Sequence, residues 1–255
     1  MTGTSEPTVS ADLVDRYLRD GYLHVPAMLS AAEVETFRAD ALEQLGRHST
    51  VSWDHEDGNV MDWVSQPERS SPAMRQLPLH PRITAIAEQL AGRPLRMFKT
   101  ELLRKRTDGS AATPLHIDAP AFPIGGAPVT LTAWVALTDV PVERGCMSFI
   151  PGSHHWPEGS PANFDPIAAR PELRWWPRVT VPVRAGDCTF HHARLAHLAG
   201  ANHTDSARIS LATVYMDADA VFRHDPQSAY QDEVPDHEPG GRFDPQRYPR
   251  ATASA

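Results

Sequence analysis

Apolar positions recur at two different intervals along this chain, and the change falls near residue 95. Before it, Leu13, Val14, Tyr17 and Leu18 repeat at helical spacing, which predicts a helix opened by Ser10 and ended by Gly21. Tyr22, Leu23, His24 and Val25 read as a short strand stopped by Pro26. Ser30-Ala31-Ala32-Glu33 has the form of a capping box, a serine with a glutamate three residues on. The helix behind it runs to about Gly46, with Val34, Phe37, Ala41, Leu42 and Leu45 on one side. Another short helix is expected over 81–90, stopped by Gly92. Between these helices, residues 47–79 show no clear period and read as a candidate lid.

From residue 95 onward the period shortens to that of strands. Strands are expected over 95–106, 115–118, 129–140, 146–150, 179–183, 188–192, 195–199 and 208–216. Within the third, Val129, Leu131, Ala133, Val135 and Leu137 share an apolar face, and Thr130, Thr132 and Trp134 share the other. Gly125-Gly126, Arg144-Gly145, Pro151-Gly152 and Ala185-Gly186-Asp187 separate the runs. Short strands at this spacing predict a sandwich, barrel or jelly roll with flanking helices. Residues 1–9 read as a loose tail and 217–255, polar and proline-rich, as a second lid or irregular tail. With no internal repeat and no linker, 1–255 is expected to form one domain.

Composition narrows the function. The 255 residues carry 24 Lys and Arg against 32 Asp and Glu, a net charge of −8, which argues against a general binder of nucleic acid or anionic membrane. Two cysteines, Cys146 and Cys188, exclude a disulfide scaffold or a cysteine-based zinc module. No apolar run approaches the ~20 residues of a membrane span. The opening residues lack the basic and apolar regions of a secretory signal, so a soluble, reduced, cytoplasmic protein is expected.

Chemistry concentrates in three places. In His116-Ile117-Asp118, an imidazole and a carboxylate two apart on a strand project from one face. Alone, the pair reads better as surface residues beside a turn. Further on, Phe190-His191-His192-Ala193-Arg194-Leu195-Ala196-His197 supplies three histidines. A His–carboxylate pair with one distant histidine is the facial triad of non-haem iron oxygenases, which leaves three metal positions open. The third place is Arg208, eleven residues after His197, with Ser210 on the same strand face. An arginine fork there suits the distal carboxylate of 2-oxoglutarate, and Ser210 could add a hydrogen bond. A surface ion pair is the ordinary alternative.

At these residues the chain resembles the phytanoyl-CoA dioxygenase family of Fe(II)- and 2-oxoglutarate-dependent oxygenases. Pro114-Leu115-His116-Ile117-Asp118 matches the first two ligands of that family, and Ala133-Trp134-Val135-Ala136-Leu137, Gly145-Cys146 and Pro151-Gly152-Ser153-His154 match its central strand, turn and following loop. His197, Asn202, Thr204 and Arg208 match its distal segment, and Asp20-Gly21-Tyr22-Leu23-His24-Val25-Pro26 its opening, so the resemblance spans roughly 10–216.

The resemblance implies a double-stranded β-helix related to cupins, with His116, Asp118 and His197 on iron and Arg208 on 2-oxoglutarate. It implies Trp134 and Phe98 as pocket residues. On pattern alone, Trp134 reads as well as a core residue. The eleven-residue distance to Arg208 favours His197 over His191 and His192. Ile117 stands where glutamine is frequent in the family and Ala199 where serine or glycine is common, each removing one polar contact. The Arg-Ile-Ser arrangement resembles other 2-oxoglutarate enzymes more than this family.

The implied reaction is hydroxylation of an unactivated C–H bond in a small organic molecule, with O₂ as second cosubstrate and succinate and CO₂ released. Desaturation, epoxidation or cyclisation would start from the same hydrogen abstraction. A halogenase would need a small residue in place of Asp118. A metal hydrolase or isomerase of cupin type, or a non-catalytic binding module, would have no use for Arg208. Trp53, His55, Trp63, Phe122, Phe222 and Arg223 are prominent in or beside the candidate lids and could touch substrate or simply pack.

Overall fold

The computed structural model describes residues 8–48, 50–107, 109–126, 129–156, 166–226, 228–234 and 237–252. Most of the tail expected over 1–9 therefore lies outside the described residues. Four helices sit in the N-terminal part: α1 (Ala11–Asp20), α2 (Ala31–Arg47), α3 (Pro72–Gln76) and α4 (Pro81–Ala91). The capping box forms as expected. Ser30 Oγ accepts from the Glu33 backbone N–H at 3.3 Å, and Glu33 accepts from the Ser30 backbone N–H at 2.8 Å. Gly21 ends α1 in the left-handed region, at φ 83°. A Cβ there would sit 2.5 Å from His154 Nδ1 and 2.7 Å from Leu195 Cδ1, so the turn needs glycine on two counts.

Thirteen strands follow in chain order among the described residues. They are β1 (Tyr22–Val25), β2 (Val51–His55), β3 (Gly58–Ser65), β4 (Leu95–Lys105), β5 (Thr113–His116), β6 (Ile124–Gly125), β7 (Thr130–Ala136), β8 (Met147–Phe149), β9 (Val179–Val181), β10 (Cys188–His192), β11 (His197–Ala199), β12 (Arg208–Asp217) and β13 (Val221–Phe222). Seven form a large antiparallel sheet in the order β1-β10-β7-β12-β4-β3-β2, and four a smaller one in the order β5-β11-β8-β9. From β4 the chain winds between the two: β4 large, β5 small, β7 large, β8 and β9 small, β10 large, β11 small, β12 large. That winding is the double-stranded β-helix, the jelly roll expected from the strand pattern.

The two faces of the large sheet do different work. Leu131, Ala133 and Val135 of β7 and Ile209, Leu211 and Tyr215 of β12 join one buried cluster with Tyr17, Phe37, Ile83 and Leu90 of the helices. The opposite face turns Trp134 and Ala212 toward Met147 and Phe149 of the small sheet. Tyr22 of β1 stacks on Phe149 across that interface, centroids 4.6 Å apart. The alternation read along 129–137 thus separates helix-facing from sheet-facing positions.

Two segments differ from the patterning. Much of 47–79 is a hairpin, β2–β3, added to the edge of the large sheet through β4, followed by a short 3₁₀ turn and α3. Its period is hidden because Asp62 lies between Val60 and Val64 on the buried face of β3, fully buried itself. Arg104 reaches Asp62 at 2.8 Å and Arg106 at 2.6 Å. In 217–252, β13 pairs with β6, and the chain returns beside β4, where Ala251 donates its backbone N–H to Leu95 at 2.9 Å.

Asp62 makes the hairpin acid-sensitive. Burial alone would raise its carboxyl, but hydrogen bonds from Arg106, Arg104 and Ser52 outweigh this and hold it at about 2, against an ordinary 3.8. Because the folded value is the lower one, the stabilisation is complete above about pH 4 and is lost as pH falls toward 2. The melting-temperature gap between wild type and Asp62→Asn should therefore be widest at neutral pH and close on acidification. A gap equal at pH 6 and pH 3 would contradict this origin.

Candidate metal and cosubstrate site

His116 ends β5 and pairs directly with His197 at the start of β11. Their rings lie 4.1 Å apart, centroid to centroid. Asp118 departs from the sequence expectation: the strand stops at His116, and Asp118 is in helical conformation at the head of a 3₁₀ turn, Ala119–Ala121. Pro120 cannot continue a ladder, and the Asp118 carbonyl instead accepts from Ala121 N–H at 2.9 Å. The carboxylate still arrives beside the imidazoles. Asp118 Oδ1 is 3.5 Å from His116 Nε2 and 3.7 Å from His197 Nε2.

Both rings are fixed for ligation. His116 Nδ1 donates to the Pro114 carbonyl at 2.8 Å and His197 Nδ1 to the Leu195 carbonyl at 2.9 Å. With the proton on Nδ1, each Nε2 presents a lone pair. Burial, with the neighbouring His116, pushes His197 down to about 3, so it is neutral at physiological pH. Burial opposes ionisation of Asp118, yet His197, His116 and His191 around it hold its carboxyl well below the usual range. One ligand atom from each of His116, Asp118 and His197 lies within 4.8 Å of the others. Burial alone would lower His116, but Asp118 beside it outweighs this and raises it, so a metal there would displace a proton. Two imidazoles and one carboxylate on one side of a cavity fit a divalent iron with open positions.

That cavity, of about 800 Å³, runs between the sheets and reaches Arg208. Arg208 heads β12 and is 2% exposed. Its NH1 donates to the Gly145 carbonyl at 2.8 Å, its Nε has no partner, and it forms no ion pair with any described carboxylate. Gly145 is at φ 77°, and a Cβ would meet the Gly200 carbonyl oxygen at 2.5 Å. Lys105, opposite Arg208 in the β4–β12 register, is a second buried cation, bonded only to the carbonyls of Val60 and Ala111 at 2.9 and 2.6 Å. Burial lowers Arg208 to about 10, and burial with the Arg208 charge lowers Lys105 to about 7. A buried cation without a counter-ion is costly, and Arg208, which unlike Lys105 is part of the cavity wall, suits a carboxylate guest.

The structure places the remaining sequence candidates unequally. Trp134 lines the cavity, with the Arg208 guanidinium 5.4 Å from its ring centroid. Ser210 is fully buried with its hydroxyl unpartnered, on the same strand face as Arg208, but it is not part of the cavity wall. Phe98 is also absent from the wall; it stacks on Tyr248 at 5.8 Å and meets Phe122 edge-on. Phe122 takes the wall position, along with Trp53, His55 and Trp63. Phe222 and Arg223 do not reach it.

Sequence reading missed the opposite wall. Glu101, Tyr230 and Glu233 line the cavity around Lys99, whose Nζ is 3.1 Å from Glu101 and 3.0 Å from Glu233 and lies 3.3 Å from the Tyr230 ring centroid. The usable signal was Lys99 and Glu101 alternating on a buried strand. Thr113, with its hydroxyl buried and unpartnered, was missed as well.

The family model described as phytanoyl-CoA dioxygenase matches residues 17–210. The non-haem α-ketoglutarate-dependent epimerase SnoN from nogalamycin biosynthesis is 48% identical, with a TM-score of 0.88 over 95% of this chain and 98% of that one. SnoN is also known in complex with Fe³⁺, α-ketoglutarate and nogalamycin RO. The carbocyclase SnoK from the same biosynthesis is 41% identical, with a TM-score of 0.88 over 96% of this chain and 97% of that one. The dioxygenase lolE1 of Epichloe uncinata is 28% identical over 228 residues, 84% of this chain and 86% of its own length.

Proposed function

The chain belongs to the phytanoyl-CoA dioxygenase family, and from that premise we propose that His116, Asp118 and His197 hold its Fe(II) and that Arg208 holds the far carboxylate of 2-oxoglutarate. The enzyme is an Fe(II)- and 2-oxoglutarate-dependent dioxygenase acting on a small molecule. The observation that carries the residue assignment is the buried Arg208, without a carboxylate partner, on the same cavity as the triad.

When bound, the iron and keto acid supply O₂ activation and the oxidising power for C–H cleavage. The chain's own residues bind and orient. His116 and His197 present fixed lone pairs, Arg208 seats the cosubstrate carboxylate, and Trp134 walls that seat. Trp53, Trp63 and Phe122 offer apolar and aromatic surface to the substrate, while Glu101 offers Oε2, which has no hydrogen-bond partner among the described residues. This cavity is the chamber for a small-molecule substrate, as SnoN binds nogalamycin RO.

Hydroxylation of an unactivated C–H bond is the main reaction: R–H, O₂ and 2-oxoglutarate become R–OH, succinate and CO₂. A second reading, hydrogen abstraction without oxygen insertion, is favoured by the likeness to an epimerase and a carbocyclase. Product mass separates them: one oxygen gained for hydroxylation, no change for epimerisation, two hydrogens lost for ring closure. No described helix is long and apolar enough to cross a membrane. A reducing cytoplasmic setting suits Cys146 and Cys188, both free and buried.

The assignment is tested by anaerobic titration of the metal-free protein with Fe(II) and then 2-oxoglutarate. A weak visible charge-transfer band of the chelated keto acid should appear. A protein that binds iron without developing the band would overturn the cosubstrate assignment.

A further inference from the structure

The two oxygens of Asp118 live in different surroundings. Oδ1 faces Nε2 of His116 and of His197, at 3.5 and 3.7 Å. Oδ2 is turned away, 3.2 Å from His191 Nε2 and 3.3 Å from Thr132 Oγ1. His191 and Thr132 are direct cross-strand partners on β10 and β7, so the large sheet presents two donors to one oxygen while the small sheet carries the imidazoles.

The donor assignment follows from burial. His191 is 2% exposed, and its Nδ1 is buried with no partner. A buried N–H without an acceptor is expensive, whereas a bare lone pair costs less when the other ring nitrogen is satisfied. The proton therefore belongs on Nε2, pointing at Oδ2. Thr132 adds its hydroxyl proton to the same oxygen.

This matters because an aspartate χ2 torsion is soft and close to two-fold. A free carboxylate could turn and offer both oxygens to a metal. An octahedral ion would have six positions; with His116, Asp118 and His197 on three, the other three would stay open for the keto acid and O₂. A two-oxygen aspartate would fill a position the reaction needs. We propose that His191, with Thr132 beside it, is a positioning residue that keeps Asp118 a one-oxygen ligand and so keeps three metal positions open. The proposal rests on the ligand assignment made above.

Packing alone predicts something different. The His191 ring lies 4.5 Å from that of His197 and 5.8 Å from that of Phe149, centroid to centroid. A phenyl group would fill that space but donate nothing, whereas a glutamine amide reaches about as far as Nε2 and donates. Fe(II) affinity, measured anaerobically by calorimetry, should fall about 10- to 100-fold in His191→Phe, the usual cost of losing a partner behind a metal ligand. It should stay near wild type in His191→Gln. The keto-acid band should shift in His191→Phe and hold its position in His191→Gln. Thr132→Val should weaken Fe(II) binding by a smaller factor.

Wild-type affinity and band in His191→Phe would overturn the clamp, as would equal impairment of the Phe and Gln variants. If His191→Phe does not fold, the other two variants decide: Thr132→Val must weaken iron binding and His191→Gln must not, or the clamp is overturned. A wild-type protein that binds no Fe(II) overturns the ligand assignment and the clamp with it, so the two failures are distinct.

Discussion

Replacing Arg208 by methionine should raise the 2-oxoglutarate concentration that half-develops the keto-acid band by about 30- to 3,000-fold, while Fe(II) binding stays within about threefold of wild type. The size follows from the environment: truncating one partner of a buried, hydrogen-bonded charge pair costs about 2–5 kcal/mol, and each 1.4 kcal/mol is about a factor of ten. Methionine fills much of the same volume without charge. It also removes a buried cation that has no anionic partner in the empty protein, so the metal-free variant should melt no lower than wild type. Thermal melts and the titration together make the test. A variant that melts much lower, or one that still develops the band at wild-type concentrations, would place the carboxylate seat elsewhere.

Removal of the Asp118 side chain is the second large effect. Asp118→Ala should lower Fe(II) affinity by at least about 100-fold, because losing even a partner behind a ligand costs about 10- to 100-fold. Turnover, measured as succinate release with any accepted substrate, should fall to background. The loss should exceed that of His191→Phe, which leaves the carboxylate in place. Fe(II) calorimetry on both variants reads the order directly, and a smaller loss in Asp118→Ala would remove the carboxylate from the metal.

How much of this was legible in the sequence depends on how local each signal is. The capping box at Ser30 and Glu33, the stop at Gly21 and the alternating faces of β7 are set by neighbours a few residues apart, and all three form as read. The likeness to a known family supplied the set His116, Asp118, His197 and Arg208, which the fold brings onto one cavity. Asp118 illustrates the boundary. Alternation placed it on the strand beside His116, but a proline two residues later and a turn bond close the strand first, and only the turn brings the carboxylate back. The β2–β3 hairpin was obscured for a different reason. Asp62 occupies a buried position because arginines on a strand some forty residues away neutralise it, and no local pattern reports that. Met61 and Trp63 on its other face look toward a cavity rather than solvent, so the polar half of the alternation is missing. The Glu101–Lys99–Glu233 wall joins residues more than 130 positions apart in the chain. His191 was one of three histidines in an eight-residue run, and only the register of β10 against β7 tells that it, and not His192, meets Oδ2 of Asp118.

The hairpin's position at the sheet margin separates reactivity from selectivity. His197 and Arg208 lie on β11 and β12, strands paired on both sides, where a change in length would shift every register around them. Trp53, Met61 and Trp63 ride on the β2–β3 pair at one margin of the sheet, and among the described residues β2 has one edge with no partner strand. Insertions, deletions and new side chains there would reshape the substrate chamber while leaving the ladder of β4, β12 and β7 intact. The architecture is therefore evolvable in one direction: a lineage can exchange its substrates by rewriting a margin of the sheet, with the oxidative machinery inherited unchanged.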